Sequence, residues 1–339
     1  MFSFRKCILT ALVLSLAVAL PTFAAPVGDA APAGSFEKYL PDSADGVVNI
    51  NVRELLDSEL FKKAGLDKQL AGDDAQKTMK LLGLDPLKDI ERVIITNDKE
   101  KGDDPHFIIQ GKFDPAKLSA AAELAHKEKK DIFIIHKTET GKIYEVTKLE
   151  EFVKMPPQAA GAGLNLKGKS VFVVIPDKGH IVLVGTKESA ETVLAKAAGK
   201  KTTKLTNKEL PGLIAKINPK QTIALALPAP GGDEKVKSIT GGLTVTADVK
   251  VDVTVTTVDA EAAKDLNEKI GEQLKMVTDI AGLLVLQQKE FAPAIDILNG
   301  IKHEAKDGTI GIKSEIKGDT LEKLVKGLAE LAAKNSGIK

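Results

Sequence analysis

The sequence has 339 residues with 48 Lys+Arg against 47 Asp+Glu, so no strong net charge attracts nucleic acid or an anionic membrane. Arginine, whose planar fork suits phosphates and base edges, occurs only as Arg5, Arg53 and Arg92, and there is no tryptophan for stacking. The single cysteine, Cys7, lies near the N-terminus, which argues against disulfides, a thiolate nucleophile or a cysteine-ligated metal in the rest of the chain.

The N-terminal segment has the order of a signal peptide. Two basic residues, Arg5 and Lys6, precede an uncharged run that ends at Leu20, and small residues follow. Their spacing indicates cleavage after Ala24, so we predict that residues 1–24 are removed. An uncleaved anchor is the alternative, but a membrane span needs about 20 apolar residues, and a proline interrupts this run early.

Cleavage would leave about 315 residues without cysteine. The net charge would be near −1, because Lys+Arg falls from 48 to 46 against 47 acidic residues. We therefore expect an exported protein, periplasmic or extracellular, with no integral membrane span after cleavage.

The fold is expected to begin near Pro41, after a linker at residues 25–40 whose first part reads APVGDAAPAGS. Residues 45–52, DGVVNINV, alternate in part between apolar and polar side chains and predict a strand. The elements expected next are amphipathic stretches at 53–63 and 75–84, followed by the two strands of a hairpin at 91–96 and 106–113.

A recurring unit places a short polar residue between a strand and an alanine-rich helix. Such a residue accepts hydrogen bonds from the first free helical amides, so each one predicts a helix N-cap. The four predicted caps are Asp114, Thr186, Asp259 and Asp319.

Two of the helices that follow carry an apolar stripe, with side chains three or four residues apart. The stripes are Leu266, Ile270, Leu274, Val277, Ala281 and Leu284 in one helix, and Leu321, Leu324, Val325, Leu328 and Leu331 in the other.

The strands beside these helices come mostly in adjacent pairs joined by short loops, which is typical of antiparallel sheets. The pairs are 132–137 with 142–147, 170–176 with 180–185, and 301–305 with 309–317. Residues 242–258 are either one long bent strand or a hairpin that turns at Ala247-Asp248.

These patterns predict an α+β protein of two related halves, residues 41–200 and 201–339, each an antiparallel sheet with helices packed on one face. The boundary is expected near residues 199–206, GKKTTKLT. The order βαββαβ, up to residue 137, suggests a ferredoxin-like arrangement of the first half.

Residues 163–170, GLNLKGKS, match the phosphate-loop pattern that ends in Gly168-Lys169-Ser170. A phosphate loop leaves a buried strand and enters a helix, so that free amides and the helix dipole face the phosphates. Here MPPQAAGAG precedes the match and VFVVIPD follows it, so the match opens a strand instead of a helix. We interpret it as a turn and expect no nucleotide binding.

The sequence contains few motifs that would indicate catalysis or metal binding. The histidines show no HExxH and no i, i+4 pair that would hold zinc, and no GxSxG elbow marks a serine nucleophile. Asp73-Asp74 and Asp103-Asp104 are acidic pairs; a calcium site at 97–104 is the alternative to a solvated turn, but the spacing of a calcium loop is absent. We therefore assign no catalytic, cofactor-binding or metal-binding residues and expect no cofactor. The five histidines are His106, His126, His136, His180 and His303.

Several segments resemble a family of uncharacterised exported proteins that is expanded in planctomycete-type bacteria. They are PDSADGVVNINVRELLDSELFKK, LLGLDPLKDIERVIIT, IIQGKFDPAKL and SITGGLTVTADVKVDVTVTTVDAEAAKDL, and the resemblance extends from about Pro41 onward. These motifs are strand ends, helix caps and packing faces. The resemblance therefore implies export and the α+β fold, and it brings no catalytic or ligand-binding residues.

Three function classes stay open. The leading hypothesis is a non-catalytic exported protein of the periplasm or cell envelope, with a binding or structural role and an unknown protein or envelope partner. The alternatives are a small-molecule or peptide binder with a cleft between the halves, and a hydrolase with dispersed carboxylates. Asp, Glu and His converging in one deep pocket would favour the enzyme, whereas a long apolar patch would favour a protein partner.

Overall fold

The structure, a computed structural model, describes residues 36–63, 85–101, 104–148, 170–230 and 234–335. The expectations that fall outside these residues are the signal peptide with its cleavage site, most of the linker, the amphipathic stretch at 75–84, Asp73-Asp74, Asp103, and residues 163–169 of the phosphate-loop match.

Within the described residues, twelve strands form one sheet in which every neighbouring pair is antiparallel. The strands are β1 Val47–Asn51, β2 Ile90–Asp98, β3 Asp104–Gly111, β4 Phe133–Thr138, β5 Gly141–Val146, β6 Val171–Asp177, β7 His180–Val184, β8 Ile223–Pro228, β9 Val236–Val245, β10 Val249–Thr257, β11 Lys302–Lys306 and β12 Thr309–Ile316. The helices are α1 Val52–Asp57, α2 Glu59–Lys63, α3 Pro86–Asp89, α4 Pro115–Glu128, α5 Lys187–Ala197, α6 Leu210–Ile214, α7 Ala260–Gln287, α8 Ala292–Asn299 and α9 Gly318–Asn335.

The sheet is continuous across the predicted boundary between the halves. Its order is β11-β12-β10-β9-β8-β1-β2-β3-β7-β6-β5-β4. β1 of the first half pairs with β8 of the second near the centre, with Val48 opposite Leu225. The α+β class with antiparallel pairing is confirmed, and the two halves share a single sheet.

The strand order of the first half differs from the ferredoxin-like expectation. A split βαβ unit brings two strands together in parallel through a helical crossover. Here β1 pairs with β2 and with β8, both antiparallel, and the described strands contain no parallel pair.

The predicted hairpins are confirmed as β2–β3, β4–β5, β6–β7 and β11–β12. Residues 242–258 follow the hairpin alternative, since β9 and β10 pair across a turn at residues 246–248. Between β11 and β12, Asp307 and Gly308 have φ of 47° and 75°. A two-residue type I′ turn needs positive φ at both central positions, and Asp-Gly tolerates it.

Three of the four predicted caps are confirmed, and the fourth helix is capped from elsewhere. Asp114, Thr186 and Asp259 each accept a hydrogen bond from an amide of the first turn that follows. α9 begins at Gly318, so Asp319 already lies inside its first turn. The Gly318 amide donates instead to Oδ1 of Asp248, at 3.0 Å, from the β9–β10 turn.

Helices cover both faces of the sheet in the first half. Ile108 of β3 points to one face, here called the first face, where α5 and α6 pack over it. Side chains alternate along a strand, so Ile109 points to the opposite, second face, where it meets Leu118 of α4. Because β3 and its neighbours are apolar on both sides, both sides are covered.

In the second half, helices α7, α8 and α9 lie on the second face, whereas α6 packs on the first face. Val255 and Ile310 pack there against Ala263 of α7, and Ile316 packs against Leu321 of α9. The first face of β10 is polar and open to solvent, as at Lys250.

The last residues of the predicted linker belong to the core. Phe36, Tyr39 and Leu40 are buried around a 3-10 helix at Glu37–Tyr39 and join the core beneath α5. The fold therefore begins before Pro41, because three large apolar side chains follow the low-complexity segment directly.

Candidate functional site

A group of ionisable side chains lies on the first face, where β2 and β3 end side by side. Asp98 pairs with Asp104, and Thr96 pairs with His106. Alternation along both strands aims Asp98, Asp104 and His106 at the segment 36–45 and at α5. All three side chains are buried.

Asp98, Asp104 and His106 are here called the polar cluster. Each of its two carboxylates accepts a hydrogen bond from a serine that is distant in sequence. Ser43 Oγ donates to Asp98 Oδ1, and Ser189 Oγ donates to Asp104 Oδ2 at 3.2 Å. Ser189 Oγ in turn accepts from the hydroxyl of Thr186, the cap of α5, at 2.8 Å. The carboxylates therefore fasten the N-terminal segment and α5 to the sheet.

A glycine makes room for one of these carboxylates. Gly185 follows β7, and a Cβ at this position would collide with Oδ1 of Asp104. The Gly185 amide also donates to that carboxylate. Burial nevertheless raises the pKa of Asp104, against these hydrogen bonds.

His106 differs from the two carboxylates of the polar cluster in its hydrogen bonding. Its side chain is 2% exposed, and Nε2 lies 3.7 Å from Asp104 Oδ2, beyond hydrogen-bond distance. Neither ring nitrogen has a hydrogen-bond partner in the described structure. Burial lowers the pKa of His106 to about 4, so its ring is neutral at pH 7.

A buried lysine completes the attachment of the N-terminal segment. Lys196 of α5 donates to the Leu40 carbonyl at 2.6 Å and to Asp42 Oδ1 at 2.7 Å. Burial lowers the pKa of Lys196, and the hydrogen bond from Lys196 holds the pKa of Asp42 below its ordinary value despite burial. In the segment that joins the halves, the Lys204 amide donates to Oδ1 of Asp42 and the Thr206 amide donates to the backbone carbonyl of Asp42.

A second polar chain crosses the first face at the opposite ends of these strands. Tyr39 Oη donates to Asp177 Oδ2 at 2.5 Å, and His180 Nδ1 lies 2.7 Å from Asp177 Oδ1. His180 Nε2 is 3.2 Å from Nε2 of Gln110. Burial acts to raise the pKa of Asp177, but the hydrogen bonds from Tyr39 and His180 hold it well below its usual range. Burial, with Asp177 beside it, raises the pKa of Tyr39.

Asp98 and His106 line a cavity of about 170 Å³ together with Ser43 and Ser189. Ligand pockets usually measure about 300–1,000 Å³, so the space suits a few waters or a small group. Ser43 and Ser189 are both bonded to carboxylates, and no hydrogen bond joins either of them to His106 in the described structure. The arrangement lacks the serine–histidine contact that activates a nucleophile.

The five histidines that the sequence singled out are largely dispersed. His106 and His180 share the first face, whereas His126 lies 2.6 Å from the Phe133 carbonyl, His136 lies 2.8 Å from Glu145 and His303 lies 2.8 Å from Asn267. Within the described residues, no group of three or more His, Cys, Asp or Glu side chains is placed to hold a metal ion.

The other singled-out positions give no ligand site. Asp98 and Asp104, at the ends of the calcium candidate, accept hydrogen bonds from serines. Ser170 directly precedes β6, so the end of the phosphate-loop match leads into a strand, as predicted. Arg92 is buried, and Arg53 donates to the Lys88 carbonyl.

The end of the long helix α7 presents a different kind of surface. Its first half packs on the sheet through Leu266 and Ile270, which confirms the predicted apolar stripe there. α7 also contacts α8 and the 3-10 helix at Lys289–Phe291. Ala281 is buried, whereas Val277 and Leu284 of the predicted stripe are exposed.

A second apolar row, which we did not predict, runs along the outer side of the second half of α7. Met276, Ile280 and Leu283 follow each other at spacings of four and three residues. The six large apolar side chains exposed at this end of α7, here called the α7 stripe, are 43% to 83% exposed. They are Met276, Val277, Ile280, Leu283, Leu284 and Leu286.

Comparison with known proteins assigns no family. No protein-family model matches the chain, and no curated protein matches it. Among solved structures, crystal form I of TP0453 is similar at a TM-score of 0.42 and 9% sequence identity, over 86% of this chain and 96% of that one. Among the described helices, none combines the length and apolar character of a membrane span. The resemblance to the planctomycete-type family stays a prediction.

Proposed function

We propose that this is a non-catalytic exported protein of the periplasm or cell envelope, whose binding or structural role depends on the α7 stripe. The observation that carries the proposal is the α7 stripe itself, which exposes six large apolar side chains at the end of the helix. A helix that is apolar all round is normally buried. Contiguous exposed apolar surface marks interaction sites in soluble proteins. The occupant that fits this stripe is another protein surface.

The polar cluster supports a structural role more than a catalytic one. Asp98, Asp104 and His106 do converge, as a hydrolase would require. However, their side chains are buried beneath the segment 36–45, and the carboxylates are already bonded to serines. A substrate would have to displace the segment that these same groups hold in place.

A ligand cleft between the halves receives no support from the cavities that we find. The cavity of about 340 Å³ is lined by residues 115–198, within the first half. The cavity of about 170 Å³ is lined by residues 39–201, and only Lys201 among them lies past the predicted boundary. The structure thus offers the α7 stripe as the better binding surface.

Crosslinking in the cells that make the protein tests this proposal. A photoreactive residue at position 280 should give adducts of defined mass with protein, and the same residue at Lys250, on the exposed first face, should give none. The N-terminus of the recovered protein should lie at or near Ala25. An absence of adducts at position 280, or a protein retained in the cytoplasm, would contradict the proposal.

A further inference from the structure

We propose that the α7 stripe is occupied by the α7 stripe of a second copy of this chain, in an antiparallel helix pair around a two-fold axis. The inference rests on the proposed function, because it names the partner of the same surface. The axis passes close to Ile280, the middle residue of the outer row.

The spacing of the outer row is that of a two-helix seam. Met276, Ile280 and Leu283 repeat every 3.5 residues on average, and side chains at this period stay in line along a packed pair of helices. Around a two-fold axis the same patch serves both copies, so the stripe needs no other surface to complement it.

Pairing around Ile280 places apolar side chains opposite one another on both sides of the axis. Met276 of one copy then lies level with Leu284 of the other, because each is four residues from the centre. Val277 lies level with Leu283 in the same way. No charged residue occurs from Ile280 to Gln288, but the segment of the other copy that lies level with it carries Glu272, Lys275 and Asp279.

The exposed apolar area is what a dimer of ordinary size requires. Six large side chains, each about half exposed, present on the order of 400 Å² of apolar surface. A standard interface buries about 800 Å² on each partner, and roughly 60% of that area is apolar. The α7 stripe therefore supplies most of the apolar part of such an interface.

A lipid surface fits the stripe less well. Helices that lie in a membrane interface carry Lys or Arg on the polar face, with aromatic side chains opposite. Beside the stripe, α7 bears Glu272, Lys275 and Asp279, a mixed set in which acidic residues outnumber the basic one. The exposed row itself contains no aromatic residue.

Sedimentation equilibrium of the mature protein tests the inference, with variants that add one charge at matched exposure. The wild type should be dimeric at about 10 µM. Ile280→Asp should raise the dissociation constant about 30-fold or more. Leu124→Asp, which changes an equally exposed leucine on α4, should leave the dimer unchanged. If Ile280→Asp fails to fold, Leu283→Gln replaces it, with the same expected direction.

A wild-type protein that stays monomeric to about 100 µM would overturn the second-copy inference. The same holds if both Asp variants dimerise like the wild type. Flotation with vesicles of phosphatidylethanolamine and phosphatidylglycerol, lost in Ile280→Asp, would identify a lipid occupant instead. The proposed function fails separately, when a photoreactive residue at position 280 gives no protein adduct in cells. An adduct with a different protein only would refute the inference of a second copy but would keep the proposed function.

Discussion

At the scale of single residues, buried polar groups attach the N-terminal segment to the sheet. Asp98, Asp104 and Lys196 each take a partner from a segment far away in sequence. Such groups are costly to bury unless they are hydrogen-bonded. His106 has no hydrogen-bond partner among the described residues, and burial keeps its ring neutral at pH 7.

His106 should make the protein less stable as the pH falls. Its pKa is about 4 in the folded chain and about 6.5 when unfolded. Between these values the unfolded chain binds more protons, so stability that is present above pH 6.5 is lost as the pH falls through 4. The loss amounts to about 3 kcal/mol at most. Asp104, whose pKa is raised, opposes part of this loss, because the folded chain takes up its proton first.

Urea melts of the wild type and of His106→Gln at pH 7, 5.5 and 4.5 check this expectation. The glutamine variant should start less stable or equal at pH 7, yet should lose less stability than the wild type on acidification. An identical pH slope in the two proteins would show that the ring at position 106 is solvated and titrates normally.

The confirmed and the failed caps give a matched test at the same scale. Asp259 Oδ1 accepts from the Ala262 amide at 2.7 Å. Asp259→Ala should therefore cost about 0.5–2 kcal/mol of unfolding free energy, and Asp259→Ser, which keeps an acceptor, should cost less. Asp319→Ala should cost less than Asp259→Ala, because Asp248 holds the first amide of α9. Equal losses at Asp259 and Asp319 would mean that the charge near each helix end matters and the hydrogen bond does not.

At the scale of elements, the two halves of α7 have different roles despite one continuous apolar pattern. Ile270 packs against Val255 and Ile310 of the sheet, whereas Ile280 is about half exposed. A carboxylate at position 270 would lie partly buried against these apolar side chains, but one at position 280 would meet water in the monomer.

Ile270→Asp should destabilise the chain by about 3 kcal/mol or more, and Ile280→Asp should stay within about 0.5 kcal/mol of the wild type. Chemical denaturation at submicromolar protein, where association is weak, measures both. A severe loss at position 280 under these conditions would place that side chain inside the monomer core and remove the α7 stripe as a surface.

Local patterns predicted the elements well, because their determinants lie within a few residues. The Asp-Gly turn at Asp307-Gly308, the caps at Asp114 and Asp259, and the paired strands all follow from neighbouring side chains. The cap of α9 by Asp248 was not predictable in this way, since it joins residues 70 apart. The spacing of the outer row of α7 is visible in the sequence. Its exposure is not, because exposure depends on which elements pack around the helix.

At the scale of the whole molecule, the antiparallel pair β1–β8 joins the two predicted halves into one sheet. Val48 of β1 faces Leu225 of β8, and the segment between the halves bonds back to Asp42. No local signal specifies this pairing, because β1 (VVNIN) and β8 (IALALP) are both short and each could pair elsewhere. The polar cluster was missed for the same reason: Ser43, Asp104 and Ser189 meet only once the chain has folded.

The α7 stripe as a self-contact is the central claim, and a single-cysteine scan along α7 tests it most directly. After the predicted cleavage the chain contains no cysteine, so each introduced thiol is the only one present. A disulfide forms only when two Cα atoms come within about 7 Å. Mild oxidation should therefore link Ile280→Cys to its own copy, with yields falling on both sides of position 280 and none at Lys250→Cys. Equal yields along the helix, or no dimer at position 280, would contradict the account.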